Sequence, residues 1–289
     1  MKLGAVFPQN EIGEDPAIIR QYAQALEGLG LDYVMAYDHV LGACPDRPGW
    51  QAGYPYTHEH PFHEVMVLFA YLAGITQTLE FVTGVLIAPQ RPAALIAKQA
   101  AQLDLLSGGR LRLGVGVGWN WAEMAALGYR FEDRGQRIDE QVQVMQLLWT
   151  QPLVRFSGKF HQLDEVGINP LPVQRPIPVW FGGSAEAVLQ RMARLGAGWI
   201  PNTLSPEQAA PTLQKIRDYL REQGRHPAQF GVDVRFSLSR QPAETWPDLR
   251  AAWLELGATH FGLNTMGMGF TNLRQHLDAL AAFARVMRA

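Results

Sequence analysis

The pair Asp38-His39 directly follows the run Asp32-Tyr33-Val34-Met35-Ala36-Tyr37. At the end of a strand, such a pair can do two kinds of work. An imidazole gives or takes a proton near neutral pH, and a carboxylate can bond the polar edge of a ligand. The plainer reading is an aspartate that caps the following turn, with its neighbour bonded to it. A second signal is the run Gly108 to Asn120, in which Gly114, Gly116 and Gly118 alternate with Val115 and Val117. Alternating glycines leave bare backbone that a flat ring or a phosphate can approach, a gain set against roughly 0.5–1 kcal/mol per interior glycine. A dinucleotide fingerprint would need a third glycine where Trp119 or Trp121 stands, and no acidic ribose reader follows at the expected spacing. Glycines that only ease strand packing remain the alternative.

Phe181-Gly182-Gly183-Ser184 precedes a segment with apolar residues at Val188, Leu189 and Met192. Two glycines and a serine at the start of a helix make an anion site, because unpaired N–H groups and the helix dipole point at the loop. An ordinary capped helix is the competing reading. In Thr83-Gly84-Val85-Leu86-Ile87, a glycine inside a β-branched run indicates a bulge or a close backbone approach, one strand before the glycine run. His58-Glu59-His60 has the spacing of a metal-ligand pair, but it lies in a loop and later strand ends offer no further histidines, so no metal site is expected. Cys44 is the only cysteine, which rules out an internal disulfide, and no base partner for a thiolate is evident.

The elements that must position these residues alternate between short β-rich runs and longer helical segments. Strands are expected near 2–7, 32–37, 79–87, 110–117, 178–182, 198–201, 230–236 and 260–264, each followed by a helical segment. Eight such units make a closed α/β barrel, a TIM (β/α)8 fold, over one domain spanning 1–289. A helix from Pro92 to Ser107, with Gly108 past its end, should pack through Leu95, Ile96, Ala100, Leu103 and Leu106. Asp133 and Gln136 have capping-box spacing ahead of the stripe Ile138, Val142, Met145 and Leu148. Two insertions interrupt the pattern. Residues 41–61, after the second strand, are rich in Gly, Pro and aromatics including Trp50 and Tyr54, and read as a substrate-covering loop at the carboxyl end of the barrel. Residues 151–176, after the fourth helix, contain Val154 to Phe160, which reads as a tight hairpin.

Composition narrows the function classes. With 47% hydrophobic and 18% charged residues, the chain can build a sizeable core and is not disordered. A net charge of −2 with interspersed signs gives no footprint for nucleic acid or an anionic membrane. No secretory signal or membrane-length apolar run is present, so a cytoplasmic protein acting on a small molecule is expected.

In their order and spacing, several of these segments resemble the bacterial luciferase-like family, most closely its branch dependent on the deazaflavin coenzyme F420. The resemblance spans nearly the whole chain. It rests on Asp38-His39, Thr83-Gly84-Val85, Leu103 to Arg110 leading into Leu113 to Asn120, Arg134 to Glu140, and Pro178 to Ser184. It implies a coenzyme at the carboxyl-end mouth and a non-prolyl cis peptide at Gly84-Val85, where the bulge presses on one face of the ring. It further implies ring contacts from Asp38, Thr83, Gly84, Val85, Gly116 and Gly118, with the phosphate held by Gly182, Gly183 and Ser184. His39 would lie near the hydride-transferring carbon as acid, base or oxyanion partner. The sugar-phosphate dehydrogenases of this family place a proton-donating glutamate where this chain has Trp119, so their relay does not carry over. Trp119 and Trp121 would line an apolar pocket with Trp50 and Tyr54, and Glu123 is a weaker alternative acid. The expected activity is F420-dependent hydride exchange with a small organic substrate. The alternatives are an FMN-dependent monooxygenase using reduced flavin and oxygen, and a flavin-binding relative without turnover. Family members are often homodimers.

Overall fold

The computed structural model describes residues 1–50, 56–202 and 205–289. Its strands are β1 (Lys2–Val6), β2 (Tyr33–Ala36), β3 (Glu80–Thr83), β4 (Leu86–Ile87), β5 (Leu111–Gly116), β6 (Val154–Ser157), β7 (Gln162–Val166), β8 (Val179–Gly182), β9 (Gly198–Ile200), β10 (Gly231–Ser237) and β11 (His260–Asn264). The helices are α1 (Pro16–Gly28), α2 (Val65–Ala73), α3 (Ala93–Ser107), α4 (Trp121–Ala126), α5 (Arg134–Thr150), α6 (Glu186–Leu195), α7 (Pro206–Glu222), α8 (Trp246–Glu255) and α9 (Leu273–Arg288). The parallel sheet runs β3-β2-β1-β11-β10-β9-β8-β5, and pairing of β3 with β5 closes it. β4 carries the third strand past its bulge and pairs with β5 at Leu86↔Val115 and Ile87↔Gly116. The result is the eight-stranded TIM barrel expected from the alternating pattern.

Local chemistry sets the element ends. Asp15 caps α1 by accepting from Ala17 N–H at 2.8 Å, with Pro16 in the first turn. Pro92 precedes α3 and Gly108 ends it in the left-handed conformation, φ 69°. The buried face of α3 differs from the expected one. Leu95 and Leu106 are 50% and 60% exposed, and the face is built from Ala93, Ile96, Ala97, Ala100, Ala101 and Leu103. Small alanines bring α3 close to its neighbours, and Trp149 of α5 reaches across to bond the Ala97 carbonyl at 2.9 Å. Ile138, Val142, Met145 and Leu148 are buried as expected. Asp133, however, makes no side-chain cap; its carboxylate goes to Arg137, one turn on, at 3.0 Å. The hairpin is the antiparallel pair β6–β7, with its turn held by Glu140 of α5, which accepts from Lys159 and Phe160 N–H at 2.8 Å each.

The amino end of the barrel is plugged by a charged and aromatic layer. Arg112 donates to Asp233 at 2.6 Å, Tyr33 donates to the same carboxylate at 2.7 Å, and the guanidinium stacks on Tyr33 and Trp180. Trp180 lies against the bare backbone of Gly198 and Gly231, where a Cβ would collide with its ring. Stability is built at this end, which leaves the strand ends opposite free for a site. Among the described residues, no helix is long and apolar enough to cross a membrane.

Candidate functional site

All eight barrel positions contribute their carboxyl ends to one cavity of about 800 Å³. Its wall includes Gln9 to Glu11 after β1, Tyr37 to His39 after β2, Gly84, Val85 and Ile87 at the bulge, and Gly116 to Trp119 after β5. It continues through Gly182-Gly183 after β8, Asn202 after β9, Arg235 on β10, and Asn264, Met266 and Gly267 after β11.

The bulge forms the floor, and Gly84-Val85 is a cis peptide. The Val85 side chain sits over two glycines: a Cβ on Gly116 would come within 2.5 Å of it, and one on Gly182 within 3.1 Å. Gly118 makes the same room for Ile87 at 2.7 Å, and a Cβ on Gly114 would strike the Thr83 carbonyl. The alternating glycines therefore admit the neighbouring strand and its bulge, while Gly116 and Gly118 still face the cavity. Gly84 itself is packed by Met35, which a side chain there would displace.

Asp38 is buried, with both oxygens engaged: Arg91 donates to them at 2.6 and 2.7 Å, and Ile87 N–H donates at 2.8 Å. It ties β2 to the continuation of the third strand, so what borders the cavity is a carboxylate already satisfied from behind. Thr83 is also turned inward, donating to the Gly114 carbonyl at 2.6 Å.

His39 is held from one side only. Its Nδ1 lies 2.9 Å from Glu123 Oε2. Glu123 is 1% exposed, and its other oxygen accepts from the Val40 and Leu41 N–H groups. Burial pushes the Glu123 carboxyl up, but the His39 contact and the two backbone donors outweigh it, and the net shift is downward. An ionised carboxylate only accepts, so the network assigns the proton to His39 Nδ1, and Nε2 of this wall residue has no hydrogen-bond partner among the described residues. Tyr56 completes the cluster. Its hydroxyl lies 2.6 Å from His39 Nδ1, accepts from Asn120 Nδ2 at 2.7 Å and reaches the Leu41 carbonyl at 3.1 Å. Burial, followed by the Glu123 charge, drives the Tyr56 pKa far up, so the phenol stays protonated. The rings of Tyr56, Phe62 and Trp119 surround the imidazole at 3.9, 5.1 and 5.6 Å.

Other expected residues fall in several places. Asp38, His39, Gly84, Val85, Gly116, Gly118, Trp119, Gly182 and Gly183 line the cavity. Trp50 stands behind Trp119 at 5.9 Å, and Trp121 lies under the Arg47 guanidinium at 4.8 Å. Tyr54 lies outside the described residues. Ser184 is exposed and does not cap α6; the cap position belongs to Ala185, whose methyl group cannot accept a hydrogen bond. Gly183, at φ 99°, turns the chain into that helix, whose first amides have no intrahelical acceptor. Sequence reading passed over Tyr56, Phe62, Asn120 and the strength of Glu123. One signal was available, since Asn120 and Glu123 have N-cap and N3 spacing. Asn120 does cap α4, accepting from Ala122 and Glu123 N–H at 3.1 Å each, and this turn aims Glu123 at the loop after β2.

The cavity fits a tricyclic coenzyme in volume, in its smooth floor at Val85 and in the backbone-lined turn at Gly182-Gly183. The family model described as luciferase-like monooxygenase matches residues 2–285. An uncharacterized protein of Mycobacterium tuberculosis is 37% identical over 190 residues, which is 63% of this chain and 65% of that protein. An FMNH(2)-dependent dimethylsulfone monooxygenase of Pseudomonas putida is 30% identical over 229 residues, 78% of this chain and 59% of that protein. The matched stretches thus span 65% and 59% of these two relatives' own lengths, less than two thirds of each. Among solved structures, an F420-dependent secondary alcohol dehydrogenase superposes with a TM-score of 0.80 at 17% identity, covering 100% of this chain and 99% of its own. An EDTA monooxygenase from a Chelativorans species superposes at 0.75 with 16% identity, covering 99% and 93%. At such identities, these two share the fold.

Proposed function

Since the chain belongs to the luciferase-like monooxygenase family, we propose that it is an oxidoreductase that binds F420 in the carboxyl-end cavity and exchanges hydride with a small organic substrate. The observation that carries this reading is the His39–Glu123 pair at 2.9 Å in the cavity wall, which engages Nδ1 and leaves His39 Nε2 without a partner among the described residues. When bound, the coenzyme would supply the hydride-accepting or hydride-donating carbon. The chain's own residues handle the rest. Val85 and the glycines beneath it would give the ring a flat support, and Gly182-Gly183 with the first amides of α6 would receive the phosphate. His39 Nε2 would take the proton of a substrate hydroxyl, or return it to a carbonyl oxygen, and Glu123 would stabilise the imidazolium formed. The aromatic rings of Tyr56, Phe62 and Trp119 would keep water from that atom.

A second reading, an FMN-dependent monooxygenase, is favoured by the 30% identity to the dimethylsulfone enzyme. The two are separated by soaking the protein with F420 or FMN and recording visible absorbance and fluorescence, then adding oxygen to the reduced complex. We expect saturable uptake of F420 and slow reaction of its reduced form with oxygen. Preferential uptake of FMN with rapid oxygen consumption would transfer the assignment to the second reading, and uptake of neither would sink both.

A further inference from the structure

One stretch of the cavity wall, three strands around the barrel from β2, offers hydrogen-bond donors and no counter-charge. Arg235 on β10 sends Nη2 to the Pro201 carbonyl at 2.8 Å and to Asn202 Oδ1 at 3.3 Å, and its guanidinium lies 5.8 Å from the centre of the Tyr37 ring. Both acceptors are neutral. Among the described residues, nothing accepts from Nε or Nη1, and no carboxylate pairs with this arginine. The neighbouring amides are turned the same way. Both residues line the cavity; Asn202 gives its oxygen to Arg235, and Asn264 gives its oxygen to Met266 N–H at 2.9 Å, so neither NH2 group has an acceptor among the described residues. Of the carboxylates in the wall, Asp38 is paired with Arg91, and Glu11 accepts from Gly267 N–H at 2.7 Å through one oxygen, while its other oxygen is buried without a hydrogen-bond partner, 3.7 Å from His276 Nε2; neither pairs with Arg235.

A half-buried guanidinium without a counter-charge is complemented best by a planar oxyanion, which can take two of its donors at once. Paired amide NH2 groups favour the same occupant. We propose that Arg235, Asn202 and Asn264 form the substrate-selecting subsite, and that the substrate is a small organic acid whose carboxylate is held there. This rests on the coenzyme reading above, in which the coenzyme phosphate goes to Gly182-Gly183 and leaves Arg235 for the substrate.

The test uses benzoate as probe and neutral benzamide as its shape-matched control. Binding is measured by calorimetry to the coenzyme-loaded protein and, separately, to the protein alone, and coenzyme uptake is scored by absorbance. Benzoate should bind at least about tenfold tighter than benzamide, as expected for a charge-assisted contact over a neutral one. Arg235→Gln, which keeps a donor for the Pro201 carbonyl, should erase that preference and leave coenzyme affinity unchanged, and Arg235→Lys should restore part of it. Asn264→Asp keeps the acceptor for Met266 N–H and adds a negative charge, so it should weaken benzoate without touching Arg235. Equal binding of benzoate and benzamide, or an unchanged preference in Arg235→Gln, would overturn the proposal. Loss of coenzyme uptake in Arg235→Gln would overturn it too, since the arginine would then serve the coenzyme. If the protein takes up no coenzyme at all, the coenzyme reading fails, and the benzoate preference of the protein alone still decides the role of Arg235.

Discussion

His39 can exchange a proton at only one nitrogen, because Glu123 holds the other. The arrangement depends on Glu123 staying ionised in a place where burial favours its protonated form, and the imidazole together with two backbone N–H groups outweighs that push. Replacing Glu123 by Gln preserves shape and removes the fixed acceptor, so the imidazole can turn its proton toward the cavity. We expect turnover to fall by about 10²-fold or more, in line with the loss of an oriented base, with coenzyme affinity unchanged. NMR of the imidazole nitrogens should report a proton on Nδ1 in the parent and a mixture of tautomers in the variant. An unchanged tautomer with unchanged turnover would reduce Glu123 to a loop anchor. His39→Ala should likewise retain coenzyme binding and lose turnover, and activity equal to the parent would remove His39 from the chemistry.

The glycines of β5 act on their element through what leans against them. A Cβ at Gly116 meets the end of the Val85 side chain, whereas a Cβ at Gly114 meets the Thr83 backbone, which cannot step aside. Gly114→Ala should therefore destabilise the barrel by about 3 kcal/mol or more, beyond the usual range for overpacking. Gly116→Ala should cost less, on the order of 1–3 kcal/mol, and Val85→Ala in the same chain should recover part of it. Urea unfolding of the singles and the double closes this cycle, and additive losses would show that Val85 is not the obstacle. The same comparison marks what sequence can reveal. The positions of the strands, and of α3 between Pro92 and Gly108, were legible because period and end chemistry are local properties. The purpose of the glycines was not, since a bare backbone looks alike whether a ligand or the next strand will cover it. Nor was the pairing of His39 with Glu123, which lie 84 residues apart and meet only because β2 and β5 flank the third strand. Ser184 was misread for a local reason: the glycine turn places the helix start one residue later, at Ala185.

The barrel carries its cavity at the carboxyl mouth and a charged and aromatic plug at the amino mouth, and the plug gives the molecule a pH dependence of its own. His260 packs its ring against Trp180 at 5.1 Å and Tyr33 at 5.9 Å, and burial, followed by the charges of Arg112, Lys2 and the amino terminus, pushes its pKa down to about 2 from the ordinary 6.5. Above about pH 6.5 it is neutral both folded and unfolded, so it adds no slope there. As pH falls below that value, the unfolded chain takes up a proton that the folded barrel refuses. Stability should then decline by up to about 1.4 kcal/mol per pH unit for this one group. His276, also lowered by burial, adds to the same window, whereas Glu27, Glu123 and Glu140, whose pKa values lie below the ordinary 4.5, contribute losses only at more acid pH. Urea midpoints should thus hold nearly level from about pH 7.5 to about pH 6.5 and fall from there down to about pH 5 in the parent. His260→Phe keeps the ring in the plug and removes the proton site, so its midpoints should fall less steeply; a slope equal to the parent's would place the acid sensitivity elsewhere in the barrel.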